Sequence, residues 1–350
     1  MQDASLPPTT ARRSKYFWLA AILALSAAGW SGFWFYAART TDSVLSGWIE
    51  REASHGRVWT CPERKTAGFP FRIEIACAKP TFAGPAGSRH VTGSLGQLRA
   101  YAQIYQPNLV LADIDGPLSI VQDDGLRVDF AWSRLRISLR GAPQTLSRLS
   151  IEGAGGALTA NIAGRPLFEI QAGAFEAHVR QSPDRSDNAY DLALTLRRAV
   201  APALDAFLNI PGTTDVDFVG TANHLVFSPT GDVAERLEIW RAGGGRLEPT
   251  SLDIRKGNLR LRLAGGVGLD AAHRPEGKLT LEGEGLQPLF KRFGVNLDMV
   301  AAGNLLDGLL GGKPKSNGDT RQGLRLPLTL DRGRLAVGPL RTPIALPPLY

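Results

Sequence analysis

Cys61 and Cys77 are the only cysteines in the chain, and they close the segment CPERKTAGFPFRIEIAC at both ends. Such a pair offers three chemistries: a disulfide, a thiol redox couple, or part of a metal site. Redox couples normally stand two residues apart, and a zinc site needs further ligands at recognisable spacing. His55 and His90 are the nearest candidates, and neither has that spacing. Gly68 and Pro70 flank Phe69 at the centre of the segment and read as turn residues. Beyond them Phe71, Ile73, Ile75 and Cys77 share one strand face, with Arg72 and Glu74 on the other. Folding back at the turn brings the cysteines together, so a structural disulfide leads over two free thiols or a metal or redox pair. Closing a loop of this length contributes about 3 kcal/mol on the chain-entropy model.

The remaining candidates for chemistry are scattered. The five histidines are His55, His90, His178, His224 and His273. None lies in an HExxH pattern or within ligand spacing of another on an evident element. Asp113 with Asp115, Asp123 with Asp124, and Asp215 with Asp217 are paired carboxylates suited to calcium or acid–base work. Asp115 precedes Gly116-Pro117, however, and turn or surface roles are the simpler account. There is no GxSxG elbow, and GGKPKSNGD lacks the Lys-Ser/Thr ending of a phosphate loop. The expectation is a non-enzymatic protein with no catalytic, cofactor-binding or metal-binding residues. A hydrolase whose groups converge from distant segments is the alternative.

These residues must be positioned by two kinds of element. The first is an uncharged apolar run from Phe17 to Ala38, preceded by Arg12, Arg13 and Lys15. At 1.5 Å per residue it reaches about 33 Å, enough to cross a hydrocarbon core of about 30 Å. Tyr16, Phe17 and Trp18 stand at one end; Trp30, Phe33, Trp34, Phe35 and Tyr36 stand towards the other. This is the arrangement of an aromatic belt. A cleaved signal peptide is the competing reading, but its apolar region is shorter and ends in small residues. The basic flank predicts a cytoplasmic N-terminus over residues 1–16, a transmembrane helix over 17–38, and translocation of the rest. Val44, Leu45, Trp48 and Ile49 at helical spacing predict a helical stalk or linker over 39–57.

The second kind is the strand. Leu126, Val128, Phe130 and Trp132 alternate with polar or small residues, as do Leu135, Ile137 and Leu139, then Leu192, Leu194 and Leu196. Leu259, Leu261 and Leu263 alternate with Arg260 and Arg262, and Leu324 to Leu330 alternates likewise. This period predicts antiparallel sheet with one apolar face. Pro327 predicts that the last run is an edge strand. Glycine clusters at Gly153, Gly155 and Gly156, and at Gly243 to Gly245, predict breaks between strands. Short helices are predicted at Pro202–Leu208, Leu286–Phe293 and Met299–Leu310. The fold class is therefore mainly β: a transmembrane helix, then a large antiparallel, curved or layered sheet over 58–350 with a few packing helices. A division into two halves falls near 199–212.

The net charge of +7 is a mild basic excess for 350 residues. It suits a solvated sheet face, with attraction to anionic headgroups second. No nucleic-acid motif is present.

The segment from Val58 to Pro80, with Trp59, Cys61, Gly68, Phe69, Pro70, Phe71, Arg72 and Cys77, resembles the opening of DUF2125, a family of uncharacterised, membrane-anchored bacterial envelope proteins. The closing segment, with Asp331, Gly333, Gly338, Pro339 and Pro347-Pro348-Leu349-Tyr350, is similar to that family's last strands. The resemblance implies the bacterial inner membrane, a single pass and a periplasmic main domain. A looser architectural likeness to AsmA-like envelope proteins implies lipid handling. The expected partner is membrane lipid, held on the apolar sheet face. An envelope protein docked on a strand edge is the alternative. Whether that face is an open groove or a closed core is the structural question that the sequence leaves open.

Overall fold

The computed structural model describes residues 11–86, 89–142, 145–225, 233–286, 324–338 and 340–350. The chain opens with a helix, α1 (Ala11–Ser54). It is long and apolar enough over its first part to cross a membrane, and Val44, Leu45, Trp48 and Ile49 continue the same helix without a break. Strands follow in the order β1 (Val58–Thr60), β2 (Lys65–Ala67), β3 (Arg72–Ala78), β4 (Thr81–Ala86), β5 (Arg89–Ser94), β6 (Gln97–Gln103), β7 (Gln106–Asp115), β8 (Leu118–Gln122), β9 (Leu126–Ala131), β10 (Arg134–Ala142), β11 (Thr145–Ile162), β12 (Arg165–Gln181) and β13 (Tyr190–Ala199). Then come α2 (Pro202–Leu208), β14 (Thr214–Ala222), α3 (Val233–Ala242), β15 (Leu247–Lys256), β16 (Leu259–Leu269), β17 (Pro275–Glu284), β18 (Leu324–Asp331), β19 (Arg334–Val337) and β20 (Leu340–Ala345). All pair antiparallel in one open sheet, so the fold is mainly β, as the alternation predicts.

The sheet forks at β11. The first part of this strand, up to Ala154, pairs with β10, and the last part, from Ala157, pairs with β9 along the same edge. One arm runs β10–β7–β6–β3–β2; the other runs β9–β8–β5–β4–β1. On the far side of β11 the strands from β12 to β20 form a simple meander. The fork corrects the expectation of a strand break at Gly153, Gly155 and Gly156, which all lie inside β11. The glycines make room there rather than ending the strand. A side chain on Gly153 or Gly156 would meet the Phe175 ring, and Gly155 adopts a φ of 61° where the two arms diverge.

Cross-strand register stacks like with like. One row reads Thr66, Ile75, Ala100, Ala112, Ile137, Ile151, Ala177, Leu194, Phe218, Leu252, Leu263, Leu281 and Leu326. Strands spaced about 4.8 Å apart make this row about 60 Å long. The row beside it carries Cys77, Leu98, Ile114, Leu135, Gly153, Phe175, Leu196, Val216, Ile254 and Leu261. Between them, on the opposite face, stand Arg99, Asp113, Arg136, Glu152, Glu176, Thr195, Asp217, Asp253, Arg262, Glu282 and Arg325. Period-two alternation in each strand thus becomes one apolar face and one charged face.

The charged face is laced with ion pairs, including Arg136–Asp113 at 3.1 Å, Arg197–Asp217 at 2.5 Å and Arg262–Asp253 at 2.8 Å. The apolar face closes into a packed cluster at the meander end. Leu259, Leu281, Leu286, Leu326, Leu328 and Val337 are buried there, Leu326 completely. Midway along the face, Leu139 and Leu194 remain 41% and 44% exposed.

Two further sequence expectations change. Pro327 is not on an edge strand, because β18 pairs with both β17 and β19. Its carbonyl accepts from Gly338 N at 2.7 Å, just past the end of β19, so its missing N–H falls where that ladder runs out. The α3 helix was not expected, although Val233, Leu237 and Trp240 have helical spacing. Gly243 to Gly245 therefore end a helix instead of separating strands. The helix predicted at Pro202–Leu208 is α2, while those at Leu286–Phe293 and Met299–Leu310 lie outside the described residues except for Leu286.

Candidate functional site

The hairpin signature folds as its turn residues dictate. β2 and β3 pair with Lys65 opposite Ala76 and Ala67 opposite Glu74. Gly68 takes a φ of 104°, and a Cβ there would lie 2.6 Å from the Arg72 carbonyl, so no other residue fits without rearrangement. Arg72 N donates back to Gly68 O at 3.1 Å and closes the turn. Cys61 and Cys77 are joined by a disulfide across 5.2 Å between Cα atoms. Cys61 follows β1, the last strand of one arm, and Cys77 lies in β3, the next-to-last strand of the other, so the bond ties the two sheet arms together.

The tip of this hairpin docks on α1. Trp30 Nε1 donates to Pro70 O at 2.9 Å, and Trp34 Nε1 donates to Arg72 O at 2.8 Å. The Trp34 ring meets Phe69 edge-on at 5.5 Å, Phe35 stacks on Phe69 at 6.3 Å, and Trp30 approaches Phe71 at 6.3 Å. Trp30 and Trp34 are one helical turn apart, which places both indoles on one face. Trp34 is only 5% exposed. On the sequence these rings read as a headgroup belt; the spacing of two tryptophans four residues apart was the signal for a docking face.

Above the tip, α1 stays against the sheet. Trp59 packs between Trp48 of the helix and Phe82 of β4, at 5.6 and 5.3 Å between rings. Arg64, in the β1–β2 connection, pairs with Asp42 at 3.0 Å and donates to Ser46 Oγ at 2.8 Å. Arg72 pairs with Glu74 at 2.9 Å and sits 5.5 Å from the Tyr101 ring centre. The residues of the signature, Trp59, Gly68, Phe69, Pro70, Phe71 and Arg72, therefore lie at one junction between helix and sheet. Phe69 and Phe71 nevertheless stay 53% and 62% exposed.

The other candidates stay apart. His55 caps the end of α1, His90 lies in β5, His178 faces Glu176 at 3.6 Å, and His273 faces Glu238 at 3.4 Å. Asp113, Asp123, Asp124, Asp215 and Asp217 serve the sheet or its turns. Asp113 binds Arg136; Asp123 accepts from His90 N and Asp124 from Leu126 N; Asp215 accepts from Arg198 N and Asp217 binds Arg197 and Arg255. The two arginines hold the Asp217 carboxyl below the usual range, chiefly through the Arg197 hydrogen bond. Among the described residues no three His, Cys, Asp or Glu side chains gather as a metal site.

Taken together, helix and sheet define a β-sheet protein carried on one N-terminal helix suited to a membrane, with the junction made by an aromatic hairpin. The chain belongs to the bacterial family described as "Uncharacterized protein conserved in bacteria (DUF2125)", which it matches over residues 34–345. No curated protein and no solved structure matches it.

Proposed function

We propose that this is an inner-membrane protein, anchored once by α1 with its N-terminus in the cytoplasm, whose periplasmic sheet binds lipid acyl chains along its apolar face. The observation that carries this reading is the unbroken apolar row from Ile75 to Leu326, which starts on the hairpin docked to the helix. Leu139 and Leu194 leave part of that face open to an apolar ligand. Charged rows on the opposite face keep the other side wet. The Arg12, Arg13 and Lys15 flank favours a cytoplasmic N-terminus, and a disulfide favours an oxidising compartment. The role is binding and handling, not catalysis.

The test is native mass spectrometry with lipid extraction on the full chain released in mild detergent. Retained phospholipid at defined stoichiometry supports the reading. A lipid-free protein under conditions that preserve the disulfide removes it, and a co-purified protein in place of lipid favours an interaction module. Reporter fusions at Tyr350 test the compartment separately; a cytoplasmic reporter signal overturns the orientation.

A further inference from the structure

We infer that the Gly68–Phe71 hairpin tip is a second membrane contact, immersed among the acyl chains of the leaflet that α1 exits. The inference rests on α1 crossing a bilayer, and it does not need the sheet to bind lipid. Its ground is the height at which the tip docks. Trp30 lies eight residues before Ala38, the end of the uncharged run, which is about 12 Å along the helix axis. A leaflet's hydrocarbon half is about 15 Å deep. A hairpin bonded to Trp30 through Pro70 O is therefore carried below the boundary with the helix that holds it.

Four of the tip's carbonyls are paired and its outward side chains are apolar, as this depth favours. An unpaired backbone group in hydrocarbon costs several kcal/mol. Here Gly68 O accepts from Arg72 N, Pro70 O from Trp30, Phe71 O from Ile104 N, and Arg72 O from Trp34. Pro70 has no N–H to satisfy. The side chains left facing outward are the rings of Phe69 and Phe71. The nearest charge is Arg72, bonded one helical turn higher at Trp34, with its side chain 52% exposed. An arginine at that level reaches the phosphates by extending upward. Tyr105, 68% exposed on the β6–β7 turn next to Phe71, adds an amphipathic ring beside it.

The experiment uses the full chain in phospholipid vesicles, with the disulfide left closed. Phe71→Cys is labelled with an environment-sensitive fluorophore; Phe71 is exposed, so its replacement leaves no cavity. Leu25→Cys, within α1 and 73% exposed, reports on the helix, and Arg165→Cys, at the β11–β12 turn, reports on the solvated sheet. The label at 71 is expected to emit in the blue and to be quenched by nitroxide on the upper acyl chain. It is expected to escape aqueous iodide, which quenches the label at 165. A label at 71 quenched by iodide, or shielded from both quenchers, overturns the inference while a lipid-quenched label at 25 keeps the anchor. Iodide quenching at 25 overturns both.

Discussion

The Cys61–Cys77 bond acts on a small loop but restrains a large structure, because its two ends belong to different arms of the sheet. Cys61→Ser or Cys77→Ser is expected to lower stability by about 2–5 kcal/mol, measured by denaturant unfolding of the full chain in detergent. An unchanged midpoint would show that pairing alone holds the arms. Glu238 is the second residue with a readable consequence. Arg241, and then Tyr350, hydrogen-bond its carboxylate and hold its pKa down to about 2. Tyr350 Oη donates to it at 2.9 Å while the ring stacks on His273 at 4.3 Å, so the C-terminal tail is tied to α3. A depressed carboxylate stabilises the fold above its unfolded pKa of about 4.3, and that contribution is lost as pH falls through 2. The protection of the Leu349 amide, which bonds His273 O, relative to its intrinsic exchange rate should therefore fall between those values. In Glu238→Gln that protection should be low at both ends, with no step between them.

At the scale of elements, two docked pieces carry buried polar atoms whose partners are single side chains. Trp34→Phe keeps a ring against Phe69 but leaves the Arg72 carbonyl without its donor. The expected cost is about 1–3 kcal/mol, read as a lowered unfolding midpoint with faster proteolysis at the hairpin. Lys256 is only 2% exposed and ties α2 to the strands beneath it, pairing with Asp205 at 2.6 Å and donating to Gly212 O at 2.7 Å. Lys256→Ala leaves Asp205 charged and unpaired, and about 3–5 kcal/mol should be lost in thermal or chemical unfolding. The elements themselves were legible to different depths. Alternation in Leu259 to Leu263 and the Gly-Phe-Pro turn are local signals, and both folded as read. The fork was not legible, because Gly153 to Gly156 look like a break until Phe175 is known to lie over them. Nor was the docking of Trp30 and Trp34: uncharged aromatic residues in an apolar run suit lipid and hairpin equally, and only the partner decides.

Across the whole molecule, the sequence shows which residues face the same way within each strand, whereas register decides whether those faces join. Thirteen strands could each be amphipathic and still be staggered into patches, since a slip of one residue sends a strand's apolar set to the other face. Here no slip interrupts the row through Ile137, Ile151, Ala177, Leu194 and Phe218, so the face is continuous. Continuity gives a sharp prediction. A single carboxylate placed midway should interrupt the proposed acyl-chain binding without unfolding the sheet, because Leu194 is already 44% exposed and an exposed charge avoids the penalty of a buried one. On the proposed reading, Leu194→Glu is expected to retain the wild-type unfolding midpoint and an intact disulfide while losing most of its bound lipid relative to the native chain. Ser138→Glu, on the charged face with the uncharged cross-strand neighbours Leu111 and Ser150, is the control and should match the native chain in bound lipid. Equal loss in both variants would point to a general charge effect, and equal retention would mean that the open stretch of the apolar face is not where lipid binds.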